Sequence, residues 1–385
     1  MVKRVMMPLL AVLIIIVGIV LGKSWFGHLS DTTSAREGSS EAKKVQPAEV
    51  VSPNIPKAKY KVQNGVKVFH LNAEPVKQEV SDGVFMKGWG YNGSIPGPTI
   101  VVNQGDKIRV VVTNHLNAPT SVHWHGLIVP NKMDGVPGVE PSPAIKPGDS
   151  FTYEFKVKQA GTFMYHSHVN TAKQEQMGLT GLLVSLPAKP KPKNQVDEDY
   201  VVLLQEWQLG MYKEGQVPAG TYKVNPMGMM PNVFTMNGKQ FPATAPLDVK
   251  KGDKVKIRLG NLSMDTHPIH LHGHNFKVVA KDGVRLPKSD QYKANTVKVA
   301  PGETYDIVFT ADNPGNWPLH CHIPHHTAGP SKTPGGMFTI VHYQNKPMPK
   351  IITNPPKPHH SGGNGMNMNK NKGMDMGNTD MGNQK

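Results

Sequence analysis

The chain repeats itself, and this internal repeat constrains the fold more than any other feature of the sequence. "GDKIRVVVTNHL" (Gly105–Leu116) returns as "GDKVKIRLGNLS" (Gly252–Ser263) 147 residues later, and the same offset relates "HWHG" to "HLHG". Further along, "PGDSFTYEF" matches "PGETYDIVF" and "AGTFMYHSH" matches "PGNWPLHCH", both at an offset of 154. Two constant offsets separated by a small insertion indicate a duplicated structural unit. We therefore expect two domains that share one fold.

Each copy has the pattern of β-strands. Runs such as "TIVVNQ", "KIRVVVTN" and "YDIVF" are rich in β-branched and aromatic residues, and PG, GD and DG turn signals bound them. No long stretch of helical periodicity lies between these runs. We predict an all-β fold of two tandem β-barrel or sandwich domains, residues 59–188 and 195–345, joined by the Pro- and Lys-rich hinge Pro187–Asn194.

The two ends of the chain lack the pattern of a folded core. Lys3 and Arg4 precede the apolar run Val5–Gly22, whose 18 residues reach the lower end of the roughly 17–25 that cross a bilayer as a helix. The positive flank predicts a membrane anchor over residues 1–22 with the remainder outside the cytoplasm, and a cleaved signal peptide is the alternative. Composition predicts a flexible stalk at 23–58 and a Met-rich disordered tail at 346–385. We thus expect an extracytoplasmic protein anchored at the cell surface or in the envelope.

Charge and cysteine content exclude two classes of protein. The net charge of +15 comes mostly from lysines spread along the whole chain, which favours a solvated basic surface. No basic block is interleaved with aromatic residues, so we expect no nucleic-acid partner. Cys321 is the single cysteine, and an intramolecular disulfide is therefore excluded.

Four H-x-H triplets occupy equivalent places in the two copies. Because side chains alternate along a strand, both histidines of a triplet point to one face. Eight imidazoles converging between domains could hold about three copper ions and leave room for oxygen. Without metal, all eight would need to be buried and hydrogen-bonded. The triplets are His123 with His125, His166 with His168, His270 with His272, and His320 with His322.

Cys321 lies between His320 and His322, so its side chain faces the opposite side of the strand. A separate copper could bind there with His267 and His326, since one Cys and two His form the trigonal ligand set of a blue-copper site. The matching positions of the first copy offer no such ligands and are Thr120, Ser167 and Ala172. The sequence predicts one electron-entry site and one multinuclear site per chain.

These motifs make the chain resemble the multicopper oxidases over about residues 59–343. "HWHG", "YHSH", "HPIHLHGH" and "HCHIPHH" match the four copper motifs of that family. The resemblance implies cupredoxin barrels and a cofactor of four coppers, namely one type 1, one type 2 and two type 3 ions. It implies His267, Cys321 and His326 for type 1, His123 and His270 for type 2, His125, His166 and His322 for one type 3 ion, and His168, His272 and His320 for the other. With type 1 ligands in the second domain alone, the chain looks like the two-domain laccase-type members.

Two further residues receive roles from the resemblance. The family often has an axial Met or Leu shortly after the last type 1 histidine, but "HTAGPSKTPGGM" delays the first Met to Met337. We interpret this as an inserted loop, with Met337 as the axial ligand. Asp134, in "MDG", stands where the family has an acid near the cluster, which implies a catalytic role. A turn-forming Asp-Gly pair is the alternative interpretation.

The resemblance implies one-electron oxidation of a donor at the type 1 site, coupled to four-electron reduction of O2 to water. Cys321, His320 and His322 would then be catalytic, because they join the two sites. Methionines in the tail and in "NPMGMMPNVFTM" favour Cu(I) as the donor, since thioethers are soft ligands, with phenols as a second donor class. A disordered tail and core-filling methionines are the alternative explanation. The alternative functions are a copper nitrite reductase and a non-catalytic copper-binding protein.

The two-domain members also imply a homotrimer. With no spacer domain between the repeats, the first domain of one chain can meet the second domain of a neighbour, and cyclic symmetry closes the ring.

Overall fold

The computed structural model of this protein describes residues 47–329 and 334–350. The predicted anchor at 1–22 and residues 351–385 of the predicted tail lie outside these residues. Within the described ranges, no helix has the length and hydropathy that a membrane span requires.

The first repeat forms two β-sheets packed around one apolar core. Strands alternate buried and more exposed residues, as in "KIRVVVTN", where Ile108, Val110 and Val112 are buried. The strands and the one α-helix of this half are β2 (Tyr60–Gln63), β3 (Val66–Ser81), β4 (Val84–Tyr91), β5 (Ile100–Asn103), β6 (Lys107–Asn114), β7 (Ser150–Lys156), β8 (Gly161–His166), α1 (Thr171–Met177) and β9 (Thr180–Leu186), with a 3-10 turn at Asn131–Met133.

The second repeat builds a larger version of the same arrangement. Its strands are β10 (Glu198–Trp207), β12 (Val233–Met236), β13 (Leu247–Val249), β14 (Lys254–Asn261), β15 (His267–Leu271), β16 (Phe276–Lys281), β17 (Val284–Arg285), β18 (Tyr292–Ala294), β19 (Thr296–Val299), β20 (Thr304–Thr310), β21 (Asn316–Cys321) and β22 (Phe338–Tyr343). Two 3-10 turns, Pro192–Asn194 and Pro324–Thr327, precede β10 and follow β21.

The duplication is visible in how the strands pair. β3 runs parallel to β6 and β6 antiparallel to β7, and the second half repeats this with β10, β14 and β20. In the other sheet of each half, the antiparallel pair β8–β9 corresponds to β21–β22. The predicted all-β fold of two tandem β-barrel domains is confirmed.

The two halves exchange short strands. β1 (Val50–Val51) precedes the first half but pairs with β10 of the second, and β11 (Gly220–Lys223) follows β10 but pairs with β4 of the first. The predicted stalk at 23–58 is therefore wrong for its last part, because Val50, Ile55 and Ala58 are buried. These apolar side chains are buried, although the surrounding Pro, Ser and Lys residues give the segment a composition that is typical of disordered chains.

A buried charge network fixes β8 against the second half. The Arg258 guanidinium donates to both carboxylate oxygens of Asp199, at 2.6 and 2.8 Å, and to an oxygen of Asp306 at 3.2 Å. It also donates to the Thr162 hydroxyl on β8 at 2.9 Å, and that hydroxyl donates to Asp306. Removing one partner from such a network costs several kcal/mol, about 3–5, because a buried charge loses its compensation. β8, which ends at His166, is thus held firmly.

Candidate metal centres

Cys321, His267 and His326 form a buried triad in the second half. Cys321 ends β21, His267 begins the neighbouring strand β15, and His326 lies in the 3-10 turn that follows β21. The sulfur lies 3.7 Å from His267 Nδ1 and 3.5 Å from His326 Nδ1, and the two nitrogens are 3.2 Å apart. At most 1 % of each residue is exposed, so the triad is closed to water.

The triad has the dimensions of a trigonal metal site. An ion with bonds of about 2.3 Å to sulfur and about 2.0 Å to nitrogen, the lengths found for zinc, needs edges of about 3.7 Å and about 3.5 Å. The observed edges agree with this triangle to within a few tenths of an ångström. One thiolate and two imidazoles are the donor set that selects a copper electron-transfer site. The three residues therefore fit the predicted type 1 copper.

Met337 lies beside this triad. Its backbone N–H donates to the carbonyl of His326, and its carbonyl accepts from the N–H of Cys321 at 3.0 Å. Its side chain is fully buried in the same apolar cluster as Cys321. The backbone bridge from Ala328 to Pro334 closes the loop before it, so the inserted loop returns Met337 to the triad despite its late position in the sequence.

A buried glutamate, Glu206, lies beside the His267 ring nitrogen that does not face Cys321. Glu206 Oε2 lies 3.6 Å from His267 Nε2 and has no hydrogen bond among the described residues, while Oε1 accepts the N–H groups of Met264 and Asp265. The Ser263 hydroxyl is 2.7 Å from the same His267 nitrogen. Burial raises the pKa of Glu206 to about 7. Sequence reasoning missed this residue, although one acid in the apolar run "YVVLLQEW" was a usable signal.

Burial also sets the protonation of the three ligands. It raises the pKa of the Cys321 thiol to about 12 and lowers the pKa of His267 to about 4. Burial, reinforced by the neighbouring His267 and His325, lowers the pKa of His326 to about 3. At neutral pH the imidazoles are thus neutral, and the thiol is the ligand that must lose a proton before a metal binds.

We expect filling of the triad to release one proton for each cupric ion at about pH 8, where the histidines and Glu206 have already lost theirs. Affinity should then rise about tenfold for each unit of pH, because only the Cys321 proton competes with the metal. A pH-stat titration of the copper-free protein measures this release. Cys321→Ser, titrated in parallel, gives the protons released elsewhere, and a difference of two or more would contradict neutral imidazoles.

The first half gathers its four H-x-H histidines into one cluster, the first quartet: His123, His125, His166 and His168. Their ring centroids lie 5.3–6.1 Å apart in five pairs. A backbone bridge joins His123 to His166, and His125 Nδ1 lies 3.3 Å from His166 Nε2. Glu175 of α1 places a carboxylate oxygen 2.6 Å from His166 Nδ1. Burial lowers the pKa of His166, but Glu175 reverses this effect and leaves it raised.

The second half gathers the second quartet: His270, His272, His320 and His322. Their ring centroids lie 4.7–5.8 Å apart in five pairs. His272 Nε2 and His320 Nε2 are 2.9 Å apart, while His320 Nδ1 and His270 Nδ1 bond to the carbonyls of Cys321 and Asn295. In all four triplets the middle residue is buried to 1 % exposure or less, as strand alternation predicts: Trp124, Ser167, Leu271 and Cys321.

The two quartets stay separate within one chain. In the ranges 47–329 and 334–350, no ring contact or hydrogen bond joins a histidine of one quartet to a histidine of the other. The structure therefore brings together His125 with His166, and His272 with His320. It does not bring His322 to the first pair, His168 to the second, or His123 to His270. Each ligand set that the resemblance implies for the cluster is divided between the quartets.

Asp134 touches the first quartet. Its backbone carbonyl is 2.9 Å from His123 Nδ1, and its carboxylate lies 3.5 Å from the same atom. The alternative role also has support, since Gly135 has a φ of +89° and no room for a Cβ against the carbonyl of Val122. Asp134 therefore belongs to a tight turn and also places its carboxylate beside His123 of the first quartet.

A hydrogen-bonded pocket replaces the triad in the first half. Thr120 and Ser167, which match His267 and Cys321, both donate to Gln174 Oε1, at 2.8 and 2.5 Å. The Gln174 amide donates in turn to the carbonyl of Pro119, and the side chain is 2 % exposed. Gln174 thus fills the space that a metal would occupy in the second half. Sequence reasoning found the missing ligands but could not identify what replaces them.

Comparisons with known proteins identify relatives of this chain. Two family models, both described as Multicopper oxidase, match residues 72–189 and 216–330. The chain is 34 % identical to Multicopper oxidase mco of Staphylococcus aureus, over 68 % of this chain and 56 % of the relative. It is 31 % identical to Copper resistance protein A of Escherichia coli, over 56 % of this chain and 42 % of the relative. The chain thus spans about half the length of these curated relatives.

A solved structure supports the fold at greater coverage. Blue Copper Oxidase from Nitrosomonas europaea superimposes with a TM-score of 0.64 at 37 % identity, over 72 % of this chain and 85 % of that one. The two relatives and the solved structure carry the names of oxidases or of a copper resistance protein, and none of these three names is that of a nitrite reductase.

Proposed function

This chain belongs to the multicopper oxidase family, and on that premise we propose that it couples one-electron oxidation of a donor to four-electron reduction of O2 to water. The observation that carries the proposal is the position of Cys321. Its sulfur lies in the buried triad, while His320 and His322, its covalent neighbours, belong to the second quartet. One strand therefore joins the two centres through adjacent residues and offers a short covalent path for electrons.

Members of this family bind copper, and bound copper would supply the electron transfer and the oxygen chemistry. The chain itself supplies the geometry. Buried ligands exclude water from the triad, and the carbonyls of Asp134, Asn295 and Cys321 hold the quartet histidines by their Nδ1 atoms. Each of these rings therefore has Nε2 available as the metal-binding atom.

Exposed methionines support Cu(I) as the favoured donor. Met227, Met229 and Met230, in the loop before β12, are 69 %, 80 % and 64 % exposed, and Met211 is 80 % exposed. Gln208 links these segments. Its amide N–H donates to the Met211 sulfur at 3.5 Å, and its amide oxygen accepts the N–H of Met230. Thioethers on the surface bury little area and therefore need another reason than core packing. A soft cation such as Cu(I) is the ligand that they suit.

The methionine loop leads directly to the triad. β12 follows the loop, and the ring of its Phe234 stacks on His326 with centroids 3.9 Å apart. Met264, 42 % exposed, donates its N–H to Glu206, the carboxylate behind His267. His326 Nε2 faces the half-exposed Asp265 at 3.9 Å, so this histidine forms the edge nearest the surface. A Cu(I) ion held by the loop would approach the triad at this edge.

The proposed role is therefore that of a cuprous oxidase serving copper tolerance, with phenol oxidation as a second capacity. Conversion of Cu(I) to the less permeant Cu(II) would protect the cell. Turnover of Cu(I), Fe(II), Mn(II) and a phenol, compared side by side through oxygen consumption, tests the choice of donor. A lack of Cu(I) turnover would contradict the proposed donor, and a lack of turnover with every donor would contradict the oxidase itself.

Replacing Met227, Met229 and Met230 together by leucine should raise KM for Cu(I) about tenfold, which corresponds to about 1.4 kcal/mol of lost binding. Leucine keeps the size of the side chain and removes the soft sulfur. Steady-state kinetics with Cu(I) and with a phenol measure the effect, and phenol oxidation should stay unchanged. Met348→Leu, at an exposed methionine outside the loop, is the matched control. Unchanged Cu(I) kinetics would exclude the loop, and deletion of Ser361–Lys385 would test the tail in the same assay.

We also propose that the active unit is a homotrimer, with the first quartet of one chain meeting the second quartet of its neighbour. The separation of the quartets within one chain supports this assembly, as do the partial exposure of His270 and His272 and the exposure of His322. The location outside the cytoplasm and the membrane anchor remain proposals that rest on the sequence of residues 1–22.

A further inference from the structure

The pocket filled by Gln174 has a neighbour that takes part in the first quartet. Gln174 and Glu175 are consecutive residues of α1, and their side chains reach different partners. Gln174 enters the pocket of Thr120 and Ser167, whereas Glu175 reaches Nδ1 of His166 at 2.6 Å. One short helix therefore connects the pocket that matches the triad to a predicted type 3 ligand.

α1 depends on this pocket for its position. Its seven residues are too few for a stable isolated helix, which needs about 12–15. The buried Gln174 side chain fixes the helix from within through hydrogen bonds to Thr120, Ser167 and Pro119. The Gln174 carbonyl accepts the N–H of Leu179, whose own carbonyl accepts the N–H of Ser167 and closes the segment. The position of Glu175 is thus set by the residue before it.

The contact to Glu175 strengthens the way in which His166 presents its ring, which the Ser167 carbonyl also supports at the same Nδ1 atom. With Nδ1–H donating to the carboxylate, Nε2 carries the lone pair, and it lies 3.3 Å from His125 Nδ1. His125 and His166 are two of the ligands implied for one type 3 copper. A carboxylate acceptor on the ring N–H fixes the tautomer and orientation of a ligating histidine and strengthens it as a ligand.

The second half provides an internal control. His320, the counterpart of His166, donates to a backbone carbonyl at 2.7 Å, and His166 has the equivalent bond to Ser167 at 3.0 Å. The carboxylate is thus an addition specific to the first half. In the second half the segment after the H-x-H triplet is used differently, because it carries His326 into the triad.

We infer that Glu175 positions His166 for copper, and that Gln174, by filling the pocket that matches the triad, holds α1 so that Glu175 reaches the ring. The pocket that matches the triad is thus the anchor of a ligand-positioning helix. This inference rests on the proposed copper cluster, but it concerns the retention of copper and needs no turnover to be tested.

The experiment measures cluster copper in the copper-loaded full chain by competition with chelators of graded strength. Glu175→Ala should weaken retention of cluster copper by about 10–100-fold, the usual cost of losing the partner of a ligating histidine. Glu175→Gln should restore most of the retention, because the amide oxygen accepts the same N–H. The blue absorption from the triad should be unchanged in both variants. Glu154→Ala, which removes an exposed carboxylate paired with Arg109, is the matched control.

A second pair of variants tests the anchor. Gln174→Leu keeps the volume of the side chain and removes its hydrogen bonds, so it should weaken copper retention through Glu175. The double variant Gln174→Leu/Glu175→Ala should then lose little more than Glu175→Ala alone, since both changes act through one contact.

The measurements distinguish the positioning role of Glu175 from the anchoring role of Gln174. Native retention in Glu175→Ala, or no recovery in Glu175→Gln, would overturn the positioning role. Additive losses in the double variant would overturn the anchor. If Gln174→Leu fails to fold, the comparison of Glu175→Ala with Glu175→Gln still decides the role of Glu175. Absence of cluster copper in the unaltered protein would instead contradict the proposed function.

Discussion

Cys321→Ser should abolish both the blue absorption and the oxidation of every donor, reducing turnover to that of the copper-free protein. Cys321 contributes the only sulfur of the triad, and the hydroxyl that replaces it is a harder and shorter ligand in a site with no exposed surface. The two quartets lie on other residues and should keep their copper. Absorption spectra, copper content and oxygen consumption with Cu(I) and a phenol measure the result.

The copper count makes this variant decisive. A loss of one copper in four, with the remaining three retained, would locate the electron-entry site at Cys321 and show that the protein is otherwise intact. Turnover at the level of the unaltered enzyme would contradict the assignment of the triad. A loss of all copper together with the fold, seen by circular dichroism, would require the same measurement on His326→Gln.

Two inactive variants should restore activity when their chains assemble together. His123→Ala/His125→Ala removes half of the first quartet, and His270→Ala/His272→Ala removes half of the second. If each cluster forms between neighbouring chains, a mixed trimer contains sites built from the intact quartet of each variant. Random assembly of equal amounts makes about a quarter of the sites complete, so coexpression should recover about a quarter of the activity.

The same experiment can contradict the assembly. A cluster formed within one chain would leave every site of the mixture defective, and coexpression would recover nothing. Mixing the separately folded variants, without coexpression, controls for exchange of chains after assembly. Sedimentation of the copper-loaded protein supplies an independent measurement, since a fully active monomer would exclude a site shared between chains.

The sequence was informative wherever a side chain's direction follows from strand alternation. Alternation predicted that Cys321 faces away from His320 and His322, and the buried triad and separate quartets have this arrangement. The internal repeat predicted both β domains because equivalent residues occur in both copies. The sequence also allowed Met337 to be placed near His326 despite its late position, because a loop can lengthen without moving its ends.

Contacts made by single residues far apart in the sequence were not predictable. The pairing of β1 with β10 depends on a few apolar residues within a segment of disordered composition. Gln174 and Glu175 have no motif, and their roles depend on α1 meeting β8 in space. Glu206 reaches His267 because the end of β10 lies beside Met264 and Asp265, which precede β15. The division of the quartets depends on how two domains are oriented, which strand patterns do not determine.

The Gln174 side chain affects when each half of the protein reaches its final structure. The first half fills the pocket that matches the triad with the Gln174 amide, so translation alone completes that pocket. The second half holds two imidazole nitrogens 3.2 Å apart beside a protonated thiol, an arrangement that is completed when copper arrives. The two equivalent pockets thus depend on different supplies, the first on translation alone and the second also on the copper available to the cell.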